Sequence, residues 1–339
     1  MNASFPLQDK VILVTGGTGS FGKCFVKKAL TEHNPRKVIV FSRDELKQWE
    51  MRQSDPVYDH DKIRYFLGDV RDKDRLMRAF RDVDLVVHAA ALKQVPAAEY
   101  NPTEFVKTNI HGAMNVVDAA IERGVEKVIA LSTDKACNPV NLYGATKLCS
   151  DKLFVSGNAY VGAQGEPKFS VVRYGNVLGS RGSIVPKWKA MVAAGATELP
   201  VTDPRMTRFW ITLPQAADFV MANFGRMLGG EIFVPKIPSM KVSDLVEAIA
   251  PGVKSKIIGI RPGEKLHEMM IGEDDARHSL EFDDCYAIAP ETELHPSQAS
   301  PARLRQIGGR PMTDGFTYTS DKNDRWLDCA ALRALIADL

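Results

Sequence analysis

A short stretch between residues 132 and 147 holds side chains that could move protons. Tyr143 and Lys147 are four residues apart in a segment with a helical pattern, so they lie on one helix face. A lysine cation beside a phenol lowers the pKa of the phenol, which could then remove a proton from a substrate alcohol at neutral pH. Thr133 supplies a hydroxyl upstream of both. These residue types at this spacing predict an enzyme.

An acid and an amine, Asp134 and Lys135, follow Thr133 directly at the end of a predicted strand. One could serve as a general acid and the other as a general base. Lysine acts as a base only if desolvation or neighbouring positive charge lowers its pKa. The alternative is a plain ion pair or a cap after the strand, and the residues themselves leave both interpretations open.

A glycine-rich turn near the N-terminus predicts a dinucleotide site. The apolar run Lys10–Thr15 is typical of a buried strand, and a helical pattern follows the turn. The G-x-x-G-x-x-G spacing allows a tight turn, close approach to a pyrophosphate and close packing of helix on strand. The N–H groups of the helix N-terminus would then face the phosphates. The predicted cofactor contacts here are Gly16, Thr18, Gly19, Ser20, Phe21 and Gly22.

The next predicted strand, Lys37–Phe41, ends where NAD-binding domains usually carry an acid for the ribose 2′-hydroxyl. Here Ser42 and Arg43 stand at that place, and Lys47 follows one helical turn later. Serine and two cations suit a 2′-phosphate, so NADP is predicted; a solvated helix face is the alternative. Asp44 is expected to favour the start of the next helix. The predicted contacts of this segment are Ser42, Arg43, Asp44, Glu45, Leu46 and Lys47.

Strands over Ile63–Leu67 and Asp84–His88 continue the pattern. An acid after the first could meet the adenine edge, and small residues after the second would let a cofactor lie close to the backbone. His88 is expected to be a satisfied, partly buried histidine. The remaining predicted cofactor contacts are Asp69, Val70, Ala89, Lys93, Tyr143, Lys147 and Val177.

The alternation of strands and helices predicts an α/β fold, a Rossmann-type doubly wound parallel sheet with a smaller C-terminal α/β substrate-binding portion. We expect an NADP-binding domain over 1–180 and a mainly substrate-binding portion over 181–339, interleaved with the main sheet. Residues 290–320 are expected to be loosely ordered. The later predicted elements are a helix over Thr103–Arg123, a strand over Lys127–Leu131, a helix over Tyr143–Val161, a strand over Phe169–Tyr174 and a helix over Asp324–Asp338.

Composition narrows the class of protein. The 339 residues contain 44 Lys and Arg against 42 Asp and Glu, so no global field favours nucleic acid or an anionic membrane. The five cysteines form no metal-type pair and are expected to be reduced thiols. No metal is predicted. Without an apolar run of membrane-spanning length or a signal-peptide pattern at residues 1–10, we expect a cytoplasmic protein without membrane insertion.

With these motifs in view, the chain resembles the extended short-chain dehydrogenase/reductases that act on nucleotide sugars. Within that group it is similar to the inverting UDP-N-acetylglucosamine 4,6-dehydratases, which begin pseudaminic acid synthesis. Retaining sugar-nucleotide dehydratases typically carry Thr-Asp-Glu where this chain has Thr-Asp-Lys, and long membrane-anchored dehydratases often lack the tyrosine. The segments that carry the resemblance are Thr133–Lys135, Asn141–Lys147, Arg173–Val177 and Met206–Trp210.

The resemblance implies an activity and roles for its residues. UDP-N-acetylglucosamine would become UDP-2-acetamido-2,6-dideoxy-β-L-arabino-hex-4-ulose, with Lys135 as the base at C5 and Asp134 as the acid. It also implies a homo-oligomer, hexamers being known in the family, and a product destined for surface glycans or flagellin. The implied substrate contacts are Lys93, Asn176, Arg181, Arg208, Arg261 and Glu264.

Two other functions compete. A nucleotide-sugar C4 epimerase or reductase would use Tyr143 and Lys147 but need neither Asp134 nor Lys135. A non-catalytic NADP-binding module would need none of the four. Among the substrate contacts, Arg205 is an alternative to Arg208.

Overall fold

The computed structural model describes residues 6–162, 165–292, 295–296 and 298–337. The expectations for residues 1–10, for the segment 290–320, for the helix over Asp324–Asp338 and for the two domains rest in part on residues outside these ranges. The strands are β1 Val11–Thr15, β2 Lys37–Ser42, β3 Ile63–Leu67, β4 Leu85–His88, β5 Lys127–Thr133, β6 Lys168–Tyr174, β7 Asn176–Leu178, β8 Glu198–Val201, β9 Thr207–Thr212, β10 Ile232–Pro235, β11 Ser239–Lys241, β12 Lys254–Ile257, β13 Met269–Ile271, β14 Ser279–Glu281, β15 Cys285–Ile288, β16 Arg310–Pro311 and β17 Tyr318–Thr319.

Helices connect most of these strands. They are α1 Ser20–Glu32, α2 Glu45–Ser54, α3 Lys73–Ala79, α4 Val95–Tyr100, α5 Pro102–Phe105, α6 Gly112–Arg123, α7 Leu142–Gly157, α8 Ile184–Ala193, α9 Leu213–Arg226, α10 Val242–Ile249, α11 Glu273–Ala276, α12 Pro301–Gln306 and α13 Cys329–Ile336. Two short 3-10 turns, Pro56–Asp59 and Asp134–Ala136, and one π-helical turn, Val106–His111, complete the elements of the described residues.

The main sheet has ten strands in the order β16-β14-β15-β10-β6-β5-β4-β1-β2-β3. Every pairing from β3 to β10 is parallel. Strands β15, β14 and β16 extend the sheet with antiparallel pairings. Strand β1 is buried along its whole length, as expected of a strand covered on both faces by helices. The predicted Rossmann-type fold is confirmed, with an antiparallel extension that was not foreseen.

A second hydrophobic core lies apart from the core of the main sheet. Trp188 of α8, Trp210 of β9, Leu245 of α10 and Leu332 of α13 are among its buried residues. Because Trp210 and Leu332 are far apart in sequence, this core closes only when the last helix returns to the middle of the chain.

Several predicted boundaries are corrected. Strand β5 continues to Thr133, because Ser132 and Thr133 still pair with Arg173 and Tyr174 of β6. The predicted helix over 103–123 is interrupted by the π-helical turn, and the last helix begins at Cys329, with Asp328 as its N-cap.

The expectation that residues 290–320 are loosely ordered is wrong for the described part of that segment. It contains α12, whose Leu304 is fully buried, and strand β16, which pairs with β14. Its Tyr318 packs against the rings of Phe209 and Tyr286. Composition misled the prediction, because short elements rich in proline and glycine can still be held by long-range packing.

All five cysteines are free. None of the described helices combines the length and apolar character that crossing a membrane requires. Within the described ranges, no group of three or more His, Cys, Asp or Glu side chains could hold a metal ion.

Candidate active site

A cavity of about 1030 Å³ opens at the carboxyl ends of the parallel strands. Here the strand order reverses between β1 and β4, the place where doubly wound sheets bind ligands. Most of the predicted site residues line it: Gly16, Thr18, Gly19, Ser20, Phe21, Gly22, Ser42, Arg43, Asp44, Lys47, Asp69, Val70, Ala89, Lys93, Thr133, Lys135, Tyr143, Lys147, Asn176, Val177, Arg181, Arg208, Arg261 and Glu264.

Three predicted site residues do not line the cavity. Glu45 and Leu46 lie on the exposed side of α2, and Leu46 is 62% exposed. Their positions follow from helix geometry, because a helix that turns Lys47 towards the cavity turns its neighbours away. Asp134 is fully buried behind Lys135. The alternative residue Arg205 binds Asp203 at the surface, at 2.7 Å, and is also absent from the lining.

The glycine turn fits a dinucleotide. Gly16 has a φ of 67°, and a Cβ added to it would lie 2.9 Å from Cα of Ala90 in the loop after β4. The first residue of the motif is therefore glycine for both conformation and space. A Cβ at Gly22 would meet the backbone of Gly17, so α1 can pack closely on the turn only without a side chain there. The backbone of the turn stays open to the cavity, as a pyrophosphate requires.

The predicted 2′-phosphate contacts lie at the cavity edge. Asp44 is the N-cap of α2 and accepts a hydrogen bond from Lys47 N at 3.0 Å, so its expected role at the helix start is confirmed. Its carboxylate also pairs with Lys47 Nζ at 3.0 Å. Arg43 lies 3.9 Å from Asp69, and both Arg43 and Lys47 keep about half of their side chains exposed. Two cations are therefore available to an anionic group at this edge.

Tyr143 and Lys147 both lie on the buried side of α7, 8% and 3% exposed. Burial raises the pKa of Tyr143 to about 12, although Lys135 and a hydrogen bond with Thr133 act in the opposite direction. That Lys147 lowers the pKa of this phenol stays a prediction. Desolvation outweighs the neighbouring charges, and the leading cation acting on the phenol is Lys135.

Lys147 itself has a lowered pKa because of burial, which Asp151 only partly offsets. His88, beneath it, is 1% exposed and its Nδ1 lies 2.9 Å from Thr15 Oγ1. Burial, with a contribution from Lys147, lowers the pKa of His88 to about 3. The expected satisfied histidine is confirmed, and it is neutral.

Lys135 is held between two carboxylates. Its Nζ lies 3.0 Å from Asp134 Oδ1 and 3.4 Å from Glu268 Oε1. Burial alone would lower the pKa of Lys135, but Asp134 and Glu268 outweigh it and raise the pKa instead. Burial raises the pKa of Asp134. The lowered lysine pKa that a base requires is therefore not found, and the ion-pair interpretation describes this geometry.

Glu268 is a site residue that the sequence did not single out. It is 2% exposed, lines the cavity, and also lies 3.6 Å from Arg208 Nε. Burial raises its pKa, but the charges of Lys135 and Arg208 outweigh this effect and lower it. Its position in the 261–268 stretch, beside the predicted contacts Arg261 and Glu264, could have marked Glu268 as a candidate. Its contact with Lys135 follows only from the fold.

A buried ionic network beneath the cavity was also missed. Asp151 accepts a hydrogen bond from Ser132 Oγ at 2.6 Å and lies 3.6 Å from Arg173. Arg173, 2% exposed, reaches Asp275 at 3.2 Å and donates to the carbonyl of Met270 at 2.9 Å. The network joins β5, β6 and α7 to the segment that carries Glu268, and β5 and α7 carry the predicted catalytic residues Thr133, Tyr143 and Lys147.

The π-helical turn positions a second unforeseen residue, Asn109. Its side chain binds both the N–H and the carbonyl of Leu92, each at 2.9 Å, and donates to Thr146 Oγ1 at 3.0 Å. It thereby ties the loop after β4 to α7. A π turn has no simple sequence signature, so the helical pattern alone could not reveal it.

Helix α7 approaches the Asp134–Ala136 turn very closely. A Cβ on Gly144 would overlap the carbonyl oxygen of Lys135. The helix also starts there, with Asn141 Oδ1 accepting from Gly144 N at 2.8 Å. The close approach brings Tyr143 and Lys135 to the same part of the cavity.

The predicted substrate side is assembled from distant segments. Arg208 donates to the carbonyls of Lys265 and Leu266, at 3.0 and 3.1 Å, and so joins β9 to the 261–268 stretch. Arg261 lies 3.6 Å from Glu264. The backbone N–H of Arg181 donates to Ser20 Oγ at 3.0 Å, so the glycine turn contacts the loop after β7.

Comparisons with known proteins agree with this geometry. A model of the family described as polysaccharide biosynthesis protein matches residues 12–290. The chain is 59% identical over 319 residues to a UDP-N-acetylglucosamine 4,6-dehydratase (inverting) of Campylobacter jejuni strain 81-176, covering 94% of each chain. It is 41% identical to a UDP-glucose 4-epimerase of Rickettsia akari, covering 83% of each.

Among solved structures, the X-ray structure of Pen from Bacillus thuringiensis superposes with a TM-score of 0.84 at 35% identity, covering 98% of each chain. The family match spans most of the sheet and the cavity-lining strands. The resemblance expected from the sequence is therefore confirmed, and the chain belongs to the polysaccharide biosynthesis protein family, within the extended short-chain dehydrogenase/reductases.

Proposed function

We propose that the protein is a UDP-N-acetylglucosamine 4,6-dehydratase that inverts C5. The observation that carries the proposal is the Asp134–Lys135 pair, whose Lys135 lines the same cavity as Tyr143. An epimerase needs a tyrosine and a hydride carrier, but it needs no acid–base pair to eliminate water. The relative at 59% identity carries the name of this dehydratase.

For the first half of the reaction, Tyr143 would accept the proton of the C4 hydroxyl and Thr133 would hydrogen-bond its oxygen. The chemistry that a bound nicotinamide would supply is reversible hydride transfer, from C4 and back to C6. Burial raises the pKa of Tyr143 to about 12, so the phenolate would depend on the positive charge of the oxidised cofactor. Lys147, buried on the same helix, would orient the bound cofactor.

For the second half, the C4 ketone acidifies the hydrogen on C5. Once Lys135 has passed one proton to Asp134, its neutral amine would remove the C5 proton, and Asp134 would protonate the departing C6 hydroxyl, which leaves as water. Asp134 can donate because burial raises its pKa and so favours its protonated form. As hydride returns to C6, a proton would reach C5 from the opposite face and give the inverted centre. This proton balances the one that Tyr143 took from the C4 hydroxyl and exchanged with solvent, so the phenolate is restored.

We further propose NADP as the cofactor. The support is Arg43 and Lys47, two partly exposed cations at the cavity edge next to the buried Ser42. Replacing Arg43 by Ala should weaken NADP binding about tenfold or more and leave NAD binding nearly unchanged, because one charge-assisted contact to the 2′-phosphate is lost. Calorimetric titration with both cofactors measures this, and equal losses for both would contradict the assignment.

The remaining proposals concern the substrate and the setting. Residues 1–180 would bind NADP, and 181–339 would mainly bind the UDP-sugar through Arg181, Arg208, Arg261 and Glu264. Lys93 and Asn176 of the first portion would contact the same sugar nucleotide. A cytoplasmic homo-oligomer acting at the first step of pseudaminic acid synthesis, for surface glycans or flagellin, is the setting that this function implies.

The test uses purified protein, NADP and UDP-N-acetylglucosamine in heavy water, followed by NMR. A 4-keto-6-deoxy sugar with deuterium at C5 and inverted configuration is expected. Because the hydride returns to the sugar, turnover should need no added oxidant.

The competing functions predict different products in the same NMR experiment. Appearance of the C4 epimer alone would favour the epimerase, the function named for the relative at 41% identity. No product from folded, NADP-binding protein would favour a non-catalytic module.

A further inference from the structure

One buried carboxylate in the cavity has no part in the proposed reaction. Glu268 precedes β13, and its backbone is fixed on both sides by Ser320, whose Oγ accepts from Glu268 N at 2.9 Å and whose N donates to Glu268 O at 2.8 Å. Its side chain is 3% exposed. A rigidly held, desolvated carboxylate is costly unless it is paired.

The partners of Glu268 are both cations of the reaction centre. Its Oε1 lies 3.4 Å from Lys135 Nζ and 3.6 Å from Arg208 Nε, while its Oε2 has no hydrogen-bond partner among the described residues. Arg208 is already fixed by three backbone carbonyls. Glu268 therefore acts mainly on Lys135. Within the described residues, the Lys135 side chain forms ion pairs with Asp134 and Glu268 alone.

The titratable and charged groups around Lys135 come from five segments of the chain. Asp134 adjoins it in the 3-10 turn, Glu268 faces it from the 261–268 stretch, and Arg208 approaches from β9. Lys93, in the loop after β4, and Tyr143 of α7 also interact with its charge. Two carboxylates favour the ammonium, and two cations oppose it.

For Lys135 to take a proton from C5, it must first lose one of its own. Asp134 Oδ1 is the acceptor within reach, at 3.0 Å. Transfer breaks one N–H bond of Lys135 and forms one O–H bond on Asp134, leaving the electron pair on nitrogen. The ion pair becomes a neutral amine and a neutral acid, the base and acid of the dehydration.

We propose that Glu268 is a positioning residue that holds the Lys135 amine against Asp134 and sets the balance between the ion pair and the neutral pair. Its negative charge lies beside the amine and favours the ion pair. The distribution of the proton thus depends on a residue that neither gives nor takes a proton in the proposed reaction. The inference rests on the proposed dehydratase function for its catalytic consequence, but its effect on Lys135 does not.

The test compares wild type, Glu268→Gln and Glu268→Asp as NADP-loaded enzymes. In protein with ¹³C at the lysine Cε, NMR follows the titration of Lys135, assigned by its loss in Lys135→Arg. Removing the carboxylate should move this titration to lower pH by about one unit or more, because an opposite charge at this distance raises a lysine pKa by that amount. The pH profile of C5 deuterium exchange should move in the same direction.

Glu268→Asp keeps the charge and should restore the titration towards wild type, with slower exchange because the shorter side chain holds the amine less well. Glu281→Gln is the matched control, since Glu281 pairs with Lys236 at 2.6 Å and neither residue lines the cavity. Superimposable titrations of wild type and Glu268→Gln would overturn the inference. A shifted titration in an enzyme without dehydratase activity would uphold it while refuting the proposed function.

Discussion

The cavity contains two lysines in regions of opposite electrostatic character. Around Lys147, burial dominates and lowers the pKa, because the nearby carboxylate of Asp151 is already shared with Ser132 and Arg173. Around Lys135, two carboxylates within 3.4 Å outweigh burial and raise the pKa. Both lysines belong to one stretch of sequence, yet their proton affinities change in opposite directions.

The comparison teaches that residue type does not set the protonation state at such a site. What decides is how many carboxylates face each amine and whether other groups already engage them. In the proposed reaction, Lys147 has a fixed role beside the cofactor, whereas Lys135 acts only after its proton has moved. Four variants test this contrast.

The largest effect is expected from Lys135→Ala, which removes the proposed C5 base. C5 exchange should fall about a thousandfold, while NADP binding and the first appearance of reduced nicotinamide should persist because the Lys147 region is intact. Deuterium NMR and the absorbance of the reduced cofactor measure the two steps separately. Lys10→Ala, which breaks a remote pair with Glu126, is the control. Undiminished exchange would remove Lys135 from the mechanism.

Tyr143→Phe should slow both hydride transfer and C5 exchange. Without the phenol, hydride transfer should fall about a hundredfold, and C5 exchange should fall with it because no ketone forms. The same two measurements apply. Tyr160, 71% exposed, gives the matched control Tyr160→Phe, for which no change is expected. Exchange that survives in Tyr143→Phe would mean that the two regions act independently.

Asp151→Asn tests the support beneath Lys147. Neutralising Asp151 leaves Arg173 with Asp275 as its remaining ion-pair partner, so the free energy of unfolding should fall by about 3 kcal/mol. Denaturant titration measures the loss. Asp118→Asn, at an exposed pair with Lys73, should cost less than about 1 kcal/mol. Similar losses for both variants would contradict the network's role.

The fourth effect is confined to acidic pH. His88 has a folded pKa of about 3, below the ordinary value of 6.5, so the unfolded chain binds a proton first as pH falls. The His88 contribution to stability is therefore present above pH 6.5 and is lost towards pH 3, at up to about 1.4 kcal/mol per pH unit. His88→Asn should flatten this slope, whereas the exposed His111→Asn should not. Parallel curves for wild type and His88→Asn would contradict the neutral, buried state.

Short sequence patterns predicted the features that depend on residues close together in the chain. The glycine turn, the strands around it, the cap at Asp44 and the pairing of acid and amine at Asp134 and Lys135 follow from spacing and periodicity. The cavity then gathered nearly all the predicted residues, because the carboxyl ends of parallel strands meet at one edge.

Effects that depend on long-range contacts could not be foreseen. Glu268 lies far from Lys135 in sequence, and only the return of the chain through β9 and β13 brings its charge to the amine. The raised pKa of Tyr143 depends on burial beneath several segments. Residues 290–320 have a loop-like composition, yet β16 completes the sheet edge through pairing with β14.

Because Gly144 has no side chain, helix α7, which carries Lys147, packs directly against the turn that carries Lys135. A single methyl group at residue 144 would collide with the Lys135 carbonyl, so the turn and the helix cannot approach more closely. The side chains at 134 and 135 could be exchanged without moving the tyrosine. Residue 144 could not be enlarged without moving both the turn and the helix, so the distance from Lys135 to Tyr143 is set by the backbone at one glycine.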